Sequence, residues 1–177
     1  MPKFESYKPR AEYSDKAIRP EQGMKHPYPA LDSTSEYLNS SGIEEYNLVE
    51  VGEYGFNEIP MASFGFKFCD ALVLRDPNKR GSKALAHVLS GADPNEYVDK
   101  LVKFFGTSNV EAIVIKAGHQ PDKLIEACNK KGIRILQTHD IPMRDEHRTY
   151  MHDVIVRPEL DKVLVNIDEL GLREINF

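Results

Sequence analysis

Phe66-Lys67-Phe68-Cys69-Asp70-Ala71-Leu72-Val73-Leu74-Arg75, Asp76-Pro77-Asn78-Lys79-Arg80-Gly81 and Ser82-Lys83-Ala84-Leu85-Ala86-His87-Val88-Leu89-Ser90 follow one another without a break. The first block is rich in strand-forming residues. The second opens with Asp-Pro and closes with Gly, a turn composition. The third reads as a returning strand, so the whole predicts a β-hairpin. Centring its turn on Asn78 sets Cys69 opposite His87, Ala71 opposite Leu85 and Val73 opposite Lys83. Directly opposed residues of an antiparallel pair have Cβ atoms about 4.5–5.5 Å apart, within reach of a thiol–imidazole hydrogen bond.

Downstream, Asp93-Pro94-Asn95-Glu96 has an N-cap, a proline at the first helical position and a glutamate three after the cap. Tyr97, Leu101, Phe104 and Phe105 form the helical stripe and Gly106 ends it. Val110–Ala117 reads as a strand. A second helix runs from Pro121, with Leu124, Ile125 and Cys128 on its apolar stripe, to Gly132. Ile133–Thr138, Met151–Val156 and Lys162–Ile167 read as further strands, and Leu48, Val49 and Val51 as a short one. About seven strands and two helices with mixed strand directions predict an α/β (α+β) fold, a mixed β-sheet sandwich with helices packed on the sheets. Residues 1–46 hold Pro2, Pro9, Pro20, Pro27 and Pro29 and no sustained periodicity. They read as an extended N-terminal arm beside a single α/β catalytic-type domain over 47–177.

The 177 residues suffice for one core. Mean hydropathy is −0.47, and no stretch approaches the roughly 20 apolar residues of a membrane span, so no membrane partner is expected. A net charge of −5 argues against a nucleic-acid partner. No apolar leader opens the chain. Cys69 and Cys128 are the two cysteines, too few for a disulfide framework and in keeping with a reducing, cytoplasmic setting.

A free thiol has a pKa near 8.5 and is mostly protonated at neutral pH. A histidine beside it takes the proton and gives a thiolate–imidazolium pair, after which the imidazolium protonates the leaving group. Cys69 and His87 on adjacent strands fit that role. They equally fit plain packing, because cysteine is among the residues most often buried. Two readings therefore stand, a cysteine hydrolase and a non-catalytic protein-binding module on the same fold.

The run Phe64-Gly65-Phe66-Lys67-Phe68-Cys69-Asp70-Ala71-Leu72-Val73-Leu74-Arg75-Asp76-Pro77, followed by Ala86-His87, resembles the chemoreceptor glutamine deamidase (CheD) family. Val110–Gly118, Gly132–Asp140 with Arg148, and Val154–Val165 resemble its later strands and closing hairpin, so the likeness spans about residues 48–167. It implies the fold shared with the catalytic domain of cytotoxic necrotizing factor and with YfiH-like, laccase-domain proteins. It also implies a protein substrate bearing a glutamine side chain, with Cys69 as nucleophile and His87 as base. The family carries a threonine six residues before the cysteine, and Ser63 holds that offset, where its hydroxyl would orient the imidazole. Lys67-Phe68 stands where the family has Gly-Ser, and Ile141-Pro142-Met143-Arg144 where it has a glycine-rich loop.

Other polar residues read more plainly. Cys128 is expected in the core. His119, His139, His147 and His152, with Asp140 and Asp153, match no tight ligand spacing, so no metal is expected. Asp145-Glu146-His147-Arg148 reads as a solvated loop. Gly52, Gly55, Gly65 and Gly118 form no phosphate-binding pattern, so no cofactor is expected. Oligomeric state is not legible.

Overall fold

Strict alternation along the strands sorts the apolar side chains onto opposite sheet faces, and the architecture follows from that sorting. A computed structural model of the chain describes residues 10–20, 30–107, 109–118 and 121–177. Two mixed six-stranded sheets face each other. The first runs β1 (Glu12–Tyr13), β4 (Glu53–Asn57), β7 (Lys83–Val88), β6 (Asp70–Arg75), β8 (Glu111–Ala117), β9 (Arg134–Ile141). The second runs β12 (Gly171–Asn176), β11 (Lys162–Ile167), β10 (His152–Arg157), β5 (Met61–Phe66), β3 (Tyr46–Leu48), β2 (Lys16–Ile18). Pairs β1–β4, β8–β9 and β3–β5 are parallel and the others antiparallel.

Ala71 and Val73 of β6, Leu85 of β7 and Ile113 and Ile115 of β8 point between the sheets. There they meet Met61, Val154, Val156, Val163 and Val165 of the second sheet. The alternate residues Leu72, Leu74, Ala84, Ala86, Ala112 and Val114 cover the opposite face under α2 (Pro94–Phe105) and α3 (Lys123–Lys130). On the second sheet Ala62, Phe64, Ile155 and Leu164 meet Leu38 of α1 (Asp32–Ser40). The result is four layers, helix–sheet–sheet–helix, an α+β sandwich.

The helix signals operate as chemistry requires. The Asp93 carboxylate accepts from the Asn95 backbone N–H at 3.0 Å, and Gly106 closes α2. Helix α1 has no side-chain cap at its first residue. It forms because Thr34 and Leu38 are buried against the second sheet, so tertiary packing replaces propensity. Within the span read as an arm, the described residues thus form β1, β2 and α1, which join both sheets and cover one of them. No helix among the described residues is long and apolar enough to cross a membrane.

The hairpin forms with a different register. Strand β6 pairs with β7 as Ala71↔His87, Val73↔Leu85 and Arg75↔Lys83. Asp76 starts the turn, its carbonyl accepting from Lys79 N–H at 3.1 Å and its carboxylate from Asn78 N–H at 2.8 Å. Gly81 then takes φ = 89°, a conformation open to glycine at little cost. That lengthens the return by one more residue pair, centres the loop on Lys79, and corrects the expected register. His87 lies opposite Ala71, and Cys69 precedes the first residue of β6.

Candidate functional site

Between strands β5 and β6 the chain leaves the second sheet and enters the first through Lys67, Phe68 and Cys69. The candidate residues gather around this crossing. Strand β5 would alternate inward Met61 and Ser63 with outward Ala62 and Phe64. Its pairing with β10 then slips, Val154↔Ser63 giving way to His152↔Phe66. One extra residue on β5 is a β-bulge, and Gly65 occupies it with φ = 72°. The bulge turns Phe66 inward as well, so Ser63 and Phe66 both reach the sandwich interior. Asp153 holds this geometry. One of its carboxylate oxygens accepts from Gly65 N–H at 2.9 Å, the other from Leu31 N–H at 2.8 Å and Thr34 Oγ1 at 2.7 Å.

Ser63 meets His87 across the two sheets, Oγ to Nδ1 at 2.8 Å. The Phe66 ring lies flat on the His87 imidazole, centroids 3.6 Å apart and planes 9° from parallel. His152 also lies against Phe66, its ring 5.1 Å from the phenyl centroid, and its Nδ1 is 3.2 Å from the Tyr150 carbonyl. A carbonyl only accepts, so His152 Nδ1 carries its hydrogen. Both histidines are fully buried, and Nε2 of each has no hydrogen-bond partner among the described residues. Burial, with the His87–His152 interaction second, lowers His87 to about 3. Burial likewise lowers His152 to about 4. Both are neutral at physiological pH, and a neutral imidazole offers a base.

Cys69 faces the same interior as Ala71 and Val73 and reaches an apolar cavity of about 440 Å³ lined by Val51, Gly65, Lys67, Phe68, Leu89, Ser90 and Met151. Burial pushes its thiol up, against the backbone N–H groups of Ser90 and Phe68, which favour the thiolate. The resting pair is therefore a thiol and a neutral imidazole, not the thiolate–imidazolium pair expected from sequence. The register brings Ser63 and His87 into contact, while Cys69 lies diagonal to His87 rather than opposite it. Diagonal neighbours on a sheet face are about 7–8 Å apart. Asp70, next in the chain, has its carboxyl pushed up to about 6 by burial, and it accepts from Ala117 N–H at 2.9 Å.

The remaining candidates separate. Cys128 is fully buried on α3 and its thiol is pushed up to about 12 by burial. His119 lies outside the described residues. His139 Nε2 contacts Gln137 Oε1 at 3.0 Å on the exposed strand β9. Asp145 accepts from His147 N–H at 2.9 Å and pairs with Arg148 at 2.6 Å within an exposed loop. Among the described residues no three His, Cys, Asp or Glu side chains converge as a metal set. Sequence reasoning overlooked Phe66, weighed His152 and Asp153 only as ligands, and had one usable signal for the bulge, the glycine within Phe64-Gly65-Phe66.

No protein-family profile matches the chain, and no curated protein matches it. Among the solved structures that match is the hypothetical protein YfiH of Bacillus licheniformis, at 17% identity and a TM-score of 0.31. The match covers 43% of this chain and 33% of that one, so it takes in about a third of the other protein's length. A likeness at this level assigns neither a family nor an activity.

Proposed function

We propose that the chain is a cysteine amidohydrolase that deamidates a glutamine side chain on a protein. The observation carrying this reading is the Ser63–His87 contact. With Nδ1–H donating to the serine hydroxyl, the tautomer leaves Nε2 bare, buried and unpartnered, on the interior face that also bears Cys69. In the proposed reaction Cys69 Sγ attacks the amide carbon while its proton passes to His87 Nε2. His87 is neutral and its Nε2 lone pair is free to accept, and because burial weakens it as a base, proton transfer accompanies attack rather than preceding it. Backbone N–H groups of Ser90 and Phe68 beside the sulfur are the natural donors to the developing oxyanion. Collapse breaks the C–N bond, the imidazolium returns the proton, and ammonia leaves. Water, with His87 again as base, then cleaves the thioester to glutamate and free thiol. The choice of glutamine over other amides rests on the resemblance of residues 64–87 to the deamidase family.

The test is the alkylation rate of Cys69 against pH, read by mass spectrometry in wild type and His87→Gln, with Cys128 as internal reference. It is run beside ammonia release from glutamine peptides. Labelling that slows at least tenfold in His87→Gln, with ammonia release abolished in Cys69→Ala, supports the hydrolase. Labelling as slow as at Cys128 and indifferent to His87 overturns it and leaves the protein-binding module as the better account.

A further inference from the structure

The cavity beside Cys69 has a chemistry of its own. Val51, Phe68, Leu89 and Met151 give it apolar walls. Gly65 leaves one wall without a side chain. Its polar groups are few: the thiol, Ser90 and, at the rim, Lys67. The half-buried Lys67 places its ammonium 5.7 Å from the centre of the Phe68 ring and pairs with no carboxylate among the described residues. Among the described residues no acidic side chain lines the cavity. About 440 Å³ is the size of a small-ligand pocket, larger than a single carboxamide needs.

These features discriminate between classes of amide. Free glutamine carries an α-ammonium, and no carboxylate among the described lining residues offsets that charge, so binding would strip it of water with little return. A glutamine inside a peptide has no such charge. Its neighbouring side chain would share the cavity, and an apolar neighbour recovers roughly 25 cal/mol for each Å² removed from water. An acidic group further out would reach Lys67, the one cation among the described lining residues. We infer that the cavity lined by Val51, Phe68, Leu89 and Met151 takes an apolar side chain adjoining the amide that Cys69 attacks, with Lys67 reading an acidic group beyond it. This deepens the hydrolase reading and rests on it for the word substrate. The selectivity of the cavity itself is read at the thiol and does not need His87.

The experiment compares four iodoacetyl probes on the full chain: iodoacetamide, N-benzyl-iodoacetamide, iodoacetate, and an iodoacetamide with a trimethylammonioethyl tail. Rates at Cys69 are divided by each probe's rate with free cysteine. The benzyl probe is expected to label Cys69 at least tenfold faster than the cationic one and with saturating kinetics, and Lys67→Glu is expected to cut the iodoacetate-to-iodoacetamide ratio at least threefold. Among glutamine peptides, those with a leucine beside the glutamine and an aspartate two residues on are expected to turn over best. Equal corrected rates for all four probes, linear in concentration and unchanged by Lys67→Glu, would overturn the inference even if deamidation occurs. Tail selectivity at Cys69 without ammonia release from any peptide would overturn the hydrolase and leave the cavity's specificity intact. Leu89→Asp, which puts a charge in the wall, is expected to reverse the preference toward the cationic tail. Lys67→Glu changes only a half-exposed side chain and keeps the test decisive if Leu89→Asp fails to fold.

Discussion

Ser63, His87 and Phe66 form a unit whose parts are tied to one another more firmly than any is tied to Cys69. Replacing Ser63 with alanine removes the partner of a fully buried ring nitrogen. An unsatisfied buried donor costs about 1–3 kcal/mol, so Ser63→Ala is expected to lower the urea midpoint by that equivalent. It is also expected to slow Cys69 alkylation, since the imidazole then has no reason to keep one tautomer. Loss of stability with unchanged labelling would make Ser63 a packing residue. The buried histidines also fix an acid limit. Unfolded, His87 and His152 bind protons below about 6.5, whereas folded they do so only near 3 and 4. The unfolded state thus holds more protons between those values, and stability falls as pH drops from about 6.5 toward 4, by about 1.4 kcal/mol per pH unit for each extra proton. Asp70, raised to about 6, opposes this, because its contribution is lost as pH rises through its folded value. Burial raises Asp153 too, its first cause, with the same opposing sign. His152→Phe is expected to flatten the acid limb by one proton's worth, read from urea midpoints between pH 4 and 6.5.

At the level of elements, what was legible in the sequence depended on how local its cause was. Helix α2 was readable from end to end because its cap, its first-turn proline and its closing glycine are all in the sequence. Asp93→Ala is expected to cost about 1 kcal/mol, read as a lowered midpoint in urea unfolding. Strands β8, β10 and β11 announced themselves through β-branched runs. The hairpin of β6 and β7 was legible but its register was not, because a left-handed glycine late in the loop moves the loop centre by one residue and every partner by two, and composition alone does not say where a loop is centred. The bulge at Gly65 had no signal in the sequence beyond the glycine itself. It exists because β10 offers Asp153 to receive the Gly65 N–H, a contact 88 residues apart in sequence. Strands of two or three residues, such as β1 and β2, carry no periodicity at all. Helix α1 reads as polar until the second sheet is there to bury Thr34 and Leu38.

Across the whole molecule the outer helix and the site are joined by one carboxylate. Asp153 receives Leu31 and Thr34 from α1 on one side and Gly65 from the bulge on the other. Asp153→Ala strands three donors at once. It is expected to raise amide exchange together at residues 31–40 and at Gly65, measured by hydrogen-exchange mass spectrometry, with a several-fold change in Cys69 alkylation. Exchange confined to α1 would show that the bulge holds itself.

Two residues, Ser14 and Asp15, separate β1 in one sheet from β2 in the other. Ser14 binds the Leu48 carbonyl through its hydroxyl and the Asn47 side chain through its own carbonyl. This short strap covers a flank of both sheets with one stretch of chain. Without it, β4 and β3 would each present an unsatisfied row of backbone donors and acceptors, which is the template for strand addition from another molecule. Excision of residues 10–20 is therefore expected to turn a dispersed protein into a self-associating one, seen as concentration-dependent growth in light scattering. The strap acts as a guard against aggregation at two edges, at the expense of a few residues of backbone.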